Sequence, residues 1–147
     1  MSESSDHASF VSEIVTFIEG LVHPRNDLVV YRAGPDATPQ KLPPKLGGYR
    51  PDVLARLWRD HTFFIGEAKT GLDLYSKHTA AQLTAFLAEV AQNPKGALVV
   101  CAPFASYSTA RALLWSLCPD VTIERAAVYC IHPGLVSASE AKLVRKQ

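Results

Sequence analysis

The stretch PDVLARLWRDHTFFIGEAKT, Pro51 to Thr70, decides how this chain folds. Asp52–Trp58 and Thr62–Lys69 read as strands, and Arg59-Asp60 stands between them. They predict an antiparallel hairpin with a tight turn. A turn centred between Arg59 and Asp60 sets Asp52 directly opposite Glu67, on the same face as Leu54, Trp58, Phe63 and Ile65. Side chains so paired have Cβ atoms roughly 4.5–5.5 Å apart, where like charges repel. Lys69 shares the face of Glu67, because side chains two apart in a strand point the same way. One lysine neutralises part of the negative charge. The remainder suits a hard divalent ion such as Mg²⁺, which takes one or two carboxylates and keeps waters for substrate oxygens.

Outward from the hairpin, the pattern is helical at Phe10–Val22, with apolar residues at 10, 11, 14, 15, 17, 18, 21 and 22 and a stop at Pro24. Leu28–Arg32 is a short strand. Residues 33–50 form a long loop, rich in proline and glycine and without periodicity, expected to be mobile or functional. Further on, Thr79–Gln92 is a helix ended by Asn93-Pro94, Ala97–Ala102 a strand covered on both faces, Tyr107–Leu117 a helix and Arg125–Ile131 a buried strand. The C-terminal residues read as a short helix or frayed tail, and residues 1–8 as disordered. The expectation is one α/β domain over residues 1–147, with a mixed central sheet flanked by helices in the order α-β-β-β-α-β-α-β.

Composition narrows the function. Hydrophobic residues make up 48% of the 147 and charged residues 20%, values of a folded chain rather than a disordered one. A net charge of +1 excludes nucleic-acid affinity spread over a generally basic surface, but not a local basic patch. No apolar run is long enough to span a membrane, and Met1–Ser9 is neither a secretory signal nor a transit peptide. Cys101, Cys118 and Cys130 lack C-x-x-C spacing and read as reduced, buried thiols of a cytoplasmic protein.

Phosphodiester hydrolysis needs the arrangement predicted at the open end of the hairpin. A metal there neutralises a non-bridging phosphate oxygen and lowers the pKa of a bound water, which a lysine can hold or deprotonate. A third carboxylate often completes such a site, and Glu13 and Glu19 on the first helix are the candidates.

Pro51-Asp52, Glu67-Ala68-Lys69 and the element order resemble the PD-(D/E)XK nuclease superfamily, whose fold is restriction-endonuclease-like. In layout the chain is most similar to the small Holliday junction resolvases, over residues 9 to 104. Those carry a first-helix glutamate before two apolar residues, here Glu13-Ile14-Val15, and a helical glutamine after the Glu-x-Lys strand, here Gln82. The resemblance implies Mg²⁺- or Mn²⁺-dependent cleavage of DNA. It makes Asp52, Glu67 and the Ala68 carbonyl ligands and puts Lys69 beside the water. By analogy with the resolvases it also implies a homodimer.

Each residue has a plainer reading too. Asp52, Glu67 and Lys69 form a surface ion cluster if their face is exposed, although its apolar residues argue that the site adjoins a core. Glu13 reads equally as a solvated helix residue, and Glu19, near the helix end and without the motif context, more so. Thr79 and Gln82 fit a capping box, which alone accounts for Gln82. Arg32, Lys41, Lys45 and Arg50 face one acid, Asp36, and are the candidates for phosphate contact together with Lys77; their plainer role is solubility. Tyr31, Tyr49, Trp58 and Trp115 read as core or loop anchors. The expected function is a Mg²⁺-dependent DNA nuclease, structure-specific in its narrower form. The alternative is a catalytically silent module of the same fold that binds DNA or a protein partner.

Overall fold

A computed structural model describes residues 5–22, 27–34, 41–93, 95–119, 122, 126–135 and 137–144. The elements are α1 (Ser5–Leu21), β1 (Leu28–Arg32), β2 (Val53–Leu57), β3 (Phe63–Ala68), α2 (Lys77–Gln92), β4 (Gly96–Cys101), α3 (Tyr107–Leu117), β5 (Ala127–Ile131) and a short α4 (Ala138–Ala141). The strands lie side by side in sequence order. β1, β2 and β3 pair antiparallel, while β3, β4 and β5 are parallel. The architecture is therefore α/β, a five-stranded mixed sheet with helices on both faces.

α1 covers one face. Its Phe10, Val11, Ile14, Phe17 and Ile18 are buried against Val53, Ala55, Phe64, Val99 and Cys101. α2 and α3 cover the other, where Leu83, Phe86 and Leu114 pack on Leu54, Ile65, Leu98 and Val128. Two successive crossovers of one hand that step the same way along a sheet put both helices on one side. β4 is buried along its whole length, as its unbroken apolar run predicts. The fit of α1 depends on Gly66. A Cβ there would stand 2.6 Å from Ile14 Cγ2 and 3.0 Å from Val53 Cβ, so only glycine lets the helix close onto β3 at this point.

Two expectations change. Residues 5–8, expected to be disordered, belong to α1, where Asp6 in the first turn complements the positive end of the helix dipole; residues 1–4 lie outside the described residues. Within the loop of residues 33–50, residues 35–40 also lie outside them, but its second half is built rather than structureless. Leu46 and Tyr49 exchange backbone hydrogen bonds of 2.7 and 3.1 Å around Gly47 and Gly48. The φ values of 58° and 87° are those that only glycine adopts freely in a two-residue turn. Leu46 and Tyr49 then pack on the α2–α3 core. After α4, Lys142 bridges to Tyr129 and the Leu143 N–H bonds the Val128 carbonyl at 2.8 Å, which covers the edge of β5. No described helix is long and apolar enough to cross a membrane.

Candidate active site

The hairpin adopts the register read from its turn, with Val53 opposite Gly66, Leu54 opposite Ile65 and Ala55 opposite Phe64. One step beyond the ladder the acids face each other. The Asp52 N–H donates to Glu67 Oε1 at 3.0 Å, and the Ala68 N–H donates to Asp52 Oδ2 at 2.9 Å. Each carboxylate thus satisfies a backbone donor on or beside the opposite strand. Neighbouring strands brace the pair, since the Ala33 N–H bonds the Asp52 carbonyl and the Lys69 N–H bonds the Cys101 carbonyl, both at 2.9 Å.

The Glu67–Lys69 pair is nearly dry, while Asp52 is half-buried. Glu67 is 3% exposed and Lys69 7%. Lys69 Nζ lies 3.1 Å from Glu67 Oε2 and donates to Gln82 Oε1. Burial, and after it the charge of Asp52, push the Glu67 carboxyl up to about 8 against the opposing pull of Lys69. Burial and the facing acid thus disfavour a second negative charge here in the absence of a cation.

Gln82 does not cap its helix. The N-cap of α2 is Ser76, whose Oγ accepts from the Thr79 N–H at 3.0 Å. The helix begins at Lys77, so Gln82 sits beyond its first turn, buried and turned towards Lys69. Sequence reading also missed His7, whose Nε2 stands 3.3 Å from Asp52 Oδ2. The available signal was the spacing His7–Val11–Ile14–Ile18, which extends the buried stripe of α1 by one more turn.

Glu13 is not gathered with the hairpin acids. It lines a cavity of about 250 Å³ with Thr16, Phe17, Gly20, Leu21 and Leu135. Its charge also adds to the burial that drives the Cys101 thiol up to about 12. Glu19 lies in the last turn of α1. Among the described residues, no three His, Cys, Asp or Glu side chains come together to hold a metal. A cation here would rest on Asp52 and Glu67, with the carbonyl of Ala68, the residue after Glu67, as a third donor. The donors suit a hard ion, and Asp52 Oδ1 takes part in neither the Ala68 nor the His7 contact. The three cysteines are buried and form no disulfide, and the thiols of Cys101 and Cys130, both raised to about 12, are inert.

The proposed phosphate-contacting residues divide. Arg32 ends β1 opposite Val53, and its Nη2 donates to Ser12 Oγ at 3.1 Å. Arg50 donates to the Pro43 carbonyl, while Lys41 and Lys45 are exposed on the loop. Lys77 is exposed at the start of α2, which follows the site end of β3. Arg32, Arg50 and Lys77 thus share the sheet end that holds Asp52 and Lys69. Tyr31, Tyr49 and Trp115 pack against the core as expected, but Trp58 is 55% exposed at the hairpin turn. Trp58 lies one residue past the end of β2, where the chain has left the sheet. Comparison with protein-family models, with curated proteins and with solved structures finds no match to this chain.

Proposed function

We propose that this chain is a Mg²⁺-dependent nuclease that hydrolyses phosphodiester bonds in DNA, with Mn²⁺ able to substitute. One observation carries the reading. Two acids stand opposite each other at the open end of a hairpin, with a buried lysine on one of them, and burial together with the Asp52 charge raises the Glu67 carboxyl to about 8, an environment that a bound cation would relieve. A divalent cation held by Asp52, Glu67 and the Ala68 carbonyl would neutralise a phosphate oxygen and lower the pKa of a bound water. Lys69 has three N–H donors. Two engage Glu67 and Gln82, and the third remains for the attacking water or a phosphate oxygen. Gln82 fixes the ammonium, His7 orients Asp52, and Arg32, Arg50 and Lys77 border the site as contacts for the DNA backbone. The resolvase-like form, a homodimer acting on branched DNA, is the narrower version of the same chemistry.

The silent-module reading draws on a different observation: the cluster is enclosed, with Lys69 already paired inside the protein. The purified chain incubated with duplex, single-stranded and branched DNA tests between them. Cleavage is expected with Mg²⁺ or Mn²⁺ and none with a chelator. No cleavage of any of the three DNA forms with either metal would leave only the module.

A further inference from the structure

Beyond the acids and the lysine, the same end of the sheet carries three large apolar side chains in the open. Leu72 is 86% exposed, Tyr75 77% and Phe104 75%. They sit on the two connections that leave the C-terminal ends of β3 and β4. These connections touch: a Cβ on Gly71 would stand 2.7 Å from Ser106 Oγ. An isolated exposed apolar residue needs no explanation, but three together on adjoining loops beside a charged site do.

The two loops are held in shape. Thr70 donates to Asp73 Oδ2 through its hydroxyl at 2.9 Å and its N–H at 3.3 Å, and the Tyr75 N–H closes on the Leu72 carbonyl. On the other loop a chain of rings ends on Phe104. Arg111 bonds the carbonyls of Glu140 and Ala141 and the Tyr107 hydroxyl. Tyr107 meets the His132 ring edge-to-face at 4.8 Å, and His132 meets Phe104 in the same way at 5.0 Å. Phe104 is therefore supported from below while its outer surface faces solvent. Such a ring is pre-organised to receive another flat apolar surface.

We infer that Phe104 and Tyr75 form a stacking platform for unpaired bases, so that the strand entering the site is single-stranded or frayed. The inference rests on the nuclease reading and names the substrate class of the same site. Phe104 lies three residues beyond Cys101, whose carbonyl receives the Lys69 N–H. That is at most about 11 Å of chain, or about three nucleotide steps of 3.4 Å. Charge points the same way. A chain of net charge +1 gains little from neutralising phosphates, whereas base stacking on aromatic rings adds affinity without charge. Arg32, Arg50 and Lys77 at the same sheet end supply the few phosphate contacts such a strand needs.

The test is fluorescence-anisotropy titration of full-length Asp52→Asn, which binds without cutting, with oligo(dT) and with a blunt duplex of equal length. Oligo(dT) is expected to bind more tightly than the duplex. Adding Phe104→Ala should weaken oligo(dT) binding about 5- to 100-fold and leave the duplex nearly unchanged, and Phe104→Trp should restore it. Equal losses on both DNAs, or no binding to oligo(dT) by the parent, overturn the platform even if the wild type cleaves duplex. Unchanged binding with a lost dimer in sedimentation also overturns it and makes the patch an interface between copies. Selective loss in a chain that cuts no DNA supports the platform while the nuclease reading falls.

Discussion

The β2–β3 hairpin carries charge at both ends and treats it in opposite ways. At the turn, Arg59 meets Asp27 with side chains 38% and 25% exposed. The backbone N–H of Arg59 adds a 2.9 Å bond to Asp27 Oδ2. One acid and one base, both wet, tie the start of β1 to the turn. At the open end, Glu67 and Lys69 are almost dry beside a half-buried Asp52, and two acids share one lysine. Folding alone gives no reason for the second arrangement, since burying unbalanced charge is costly and a hydrophobic replacement is often at least as stable. On the proposed reading, the contrast separates charge that serves the fold from charge that would serve a bound cation and a phosphate.

The comparison breaks first if the open end does no chemistry. Asp52→Asn and Glu67→Gln are each expected to abolish Mg²⁺-dependent cleavage. The fold should be intact or slightly more stable, because a like-charge pair is relieved. Lys69→Ala should cut turnover by about 10²- to 10⁴-fold, the usual share of a proton-transferring group. Calorimetric Mg²⁺ affinity should persist or rise slightly, because the ammonium is not a ligand. A large loss of metal affinity in Lys69→Ala would make the lysine a structural part of the site.

A pH series sharpens the same point. The folded Glu67 carboxyl titrates at about 8 against 4.5 for an unperturbed glutamate. Between those values the folded protein holds the proton more tightly than the unfolded chain does, so stability falls as pH rises through that window. Metal-free thermal melts are expected to drop from pH 5 towards pH 8, and Glu67→Gln should flatten the slope. Protons compete with the cation, so Mg²⁺ affinity and cleavage should climb over the same range. A flat profile for both would mean that Glu67 is charged at neutral pH without help.

Gln82 comes next in size. As the group that positions Lys69, it should lower kcat about 10-fold when changed to Ala while leaving KM and Mg²⁺ affinity nearly unchanged. A merely structural glutamine would move melting temperature and KM instead. On the loop, replacing Lys41 and Lys45 with Ala should flatten the salt dependence of duplex binding by about 0.9 for each phosphate that is no longer neutralised. Coincident slopes would place the DNA-binding face elsewhere.

What could be read from residues alone was what a strand encodes locally. The turn at Arg59-Asp60 and the strict alternation of side chains leave only one register that buries Leu54 and Ile65 together, and that register pairs Asp52 with Glu67. Helices hid more. Thr79 and Gln82 satisfy the capping pattern on paper, but Ser76 stands three residues earlier and its hydroxyl reaches the Thr79 N–H first. Glu13 shows how much one position matters. Ile14 is the residue against Gly66, and its neighbour is turned about 100° away, towards Cys101 rather than Asp52. His7 lay outside the run of obvious apolar positions, although it extends their spacing. Tertiary placement of a helix on a sheet is a rotation about the helix axis, and no single residue type reports it.

The smallest effect belongs to the turn. The Asp27–Arg59 pair is partly exposed, so its coupling should be about 0.2–1 kcal/mol, with the lower part more apt once solvent screening is counted. Asp27→Ala removes the acceptor of both the guanidinium and the Arg59 N–H, whereas Arg59→Ala keeps the backbone bond. A double-mutant cycle over the two positions therefore isolates the side-chain contribution, and Asp27→Ala alone should cost more than Arg59→Ala alone. Raising the salt from 0.05 to 1 M in chemical denaturation by urea should shrink the coupling, since exposed charges are screened and buried ones hardly are. Cleavage should not respond to either variant. A coupling well above 1 kcal/mol, or one indifferent to salt, would show that the turn shields its charges as the open end does, and the difference between the two ends would no longer mark the site.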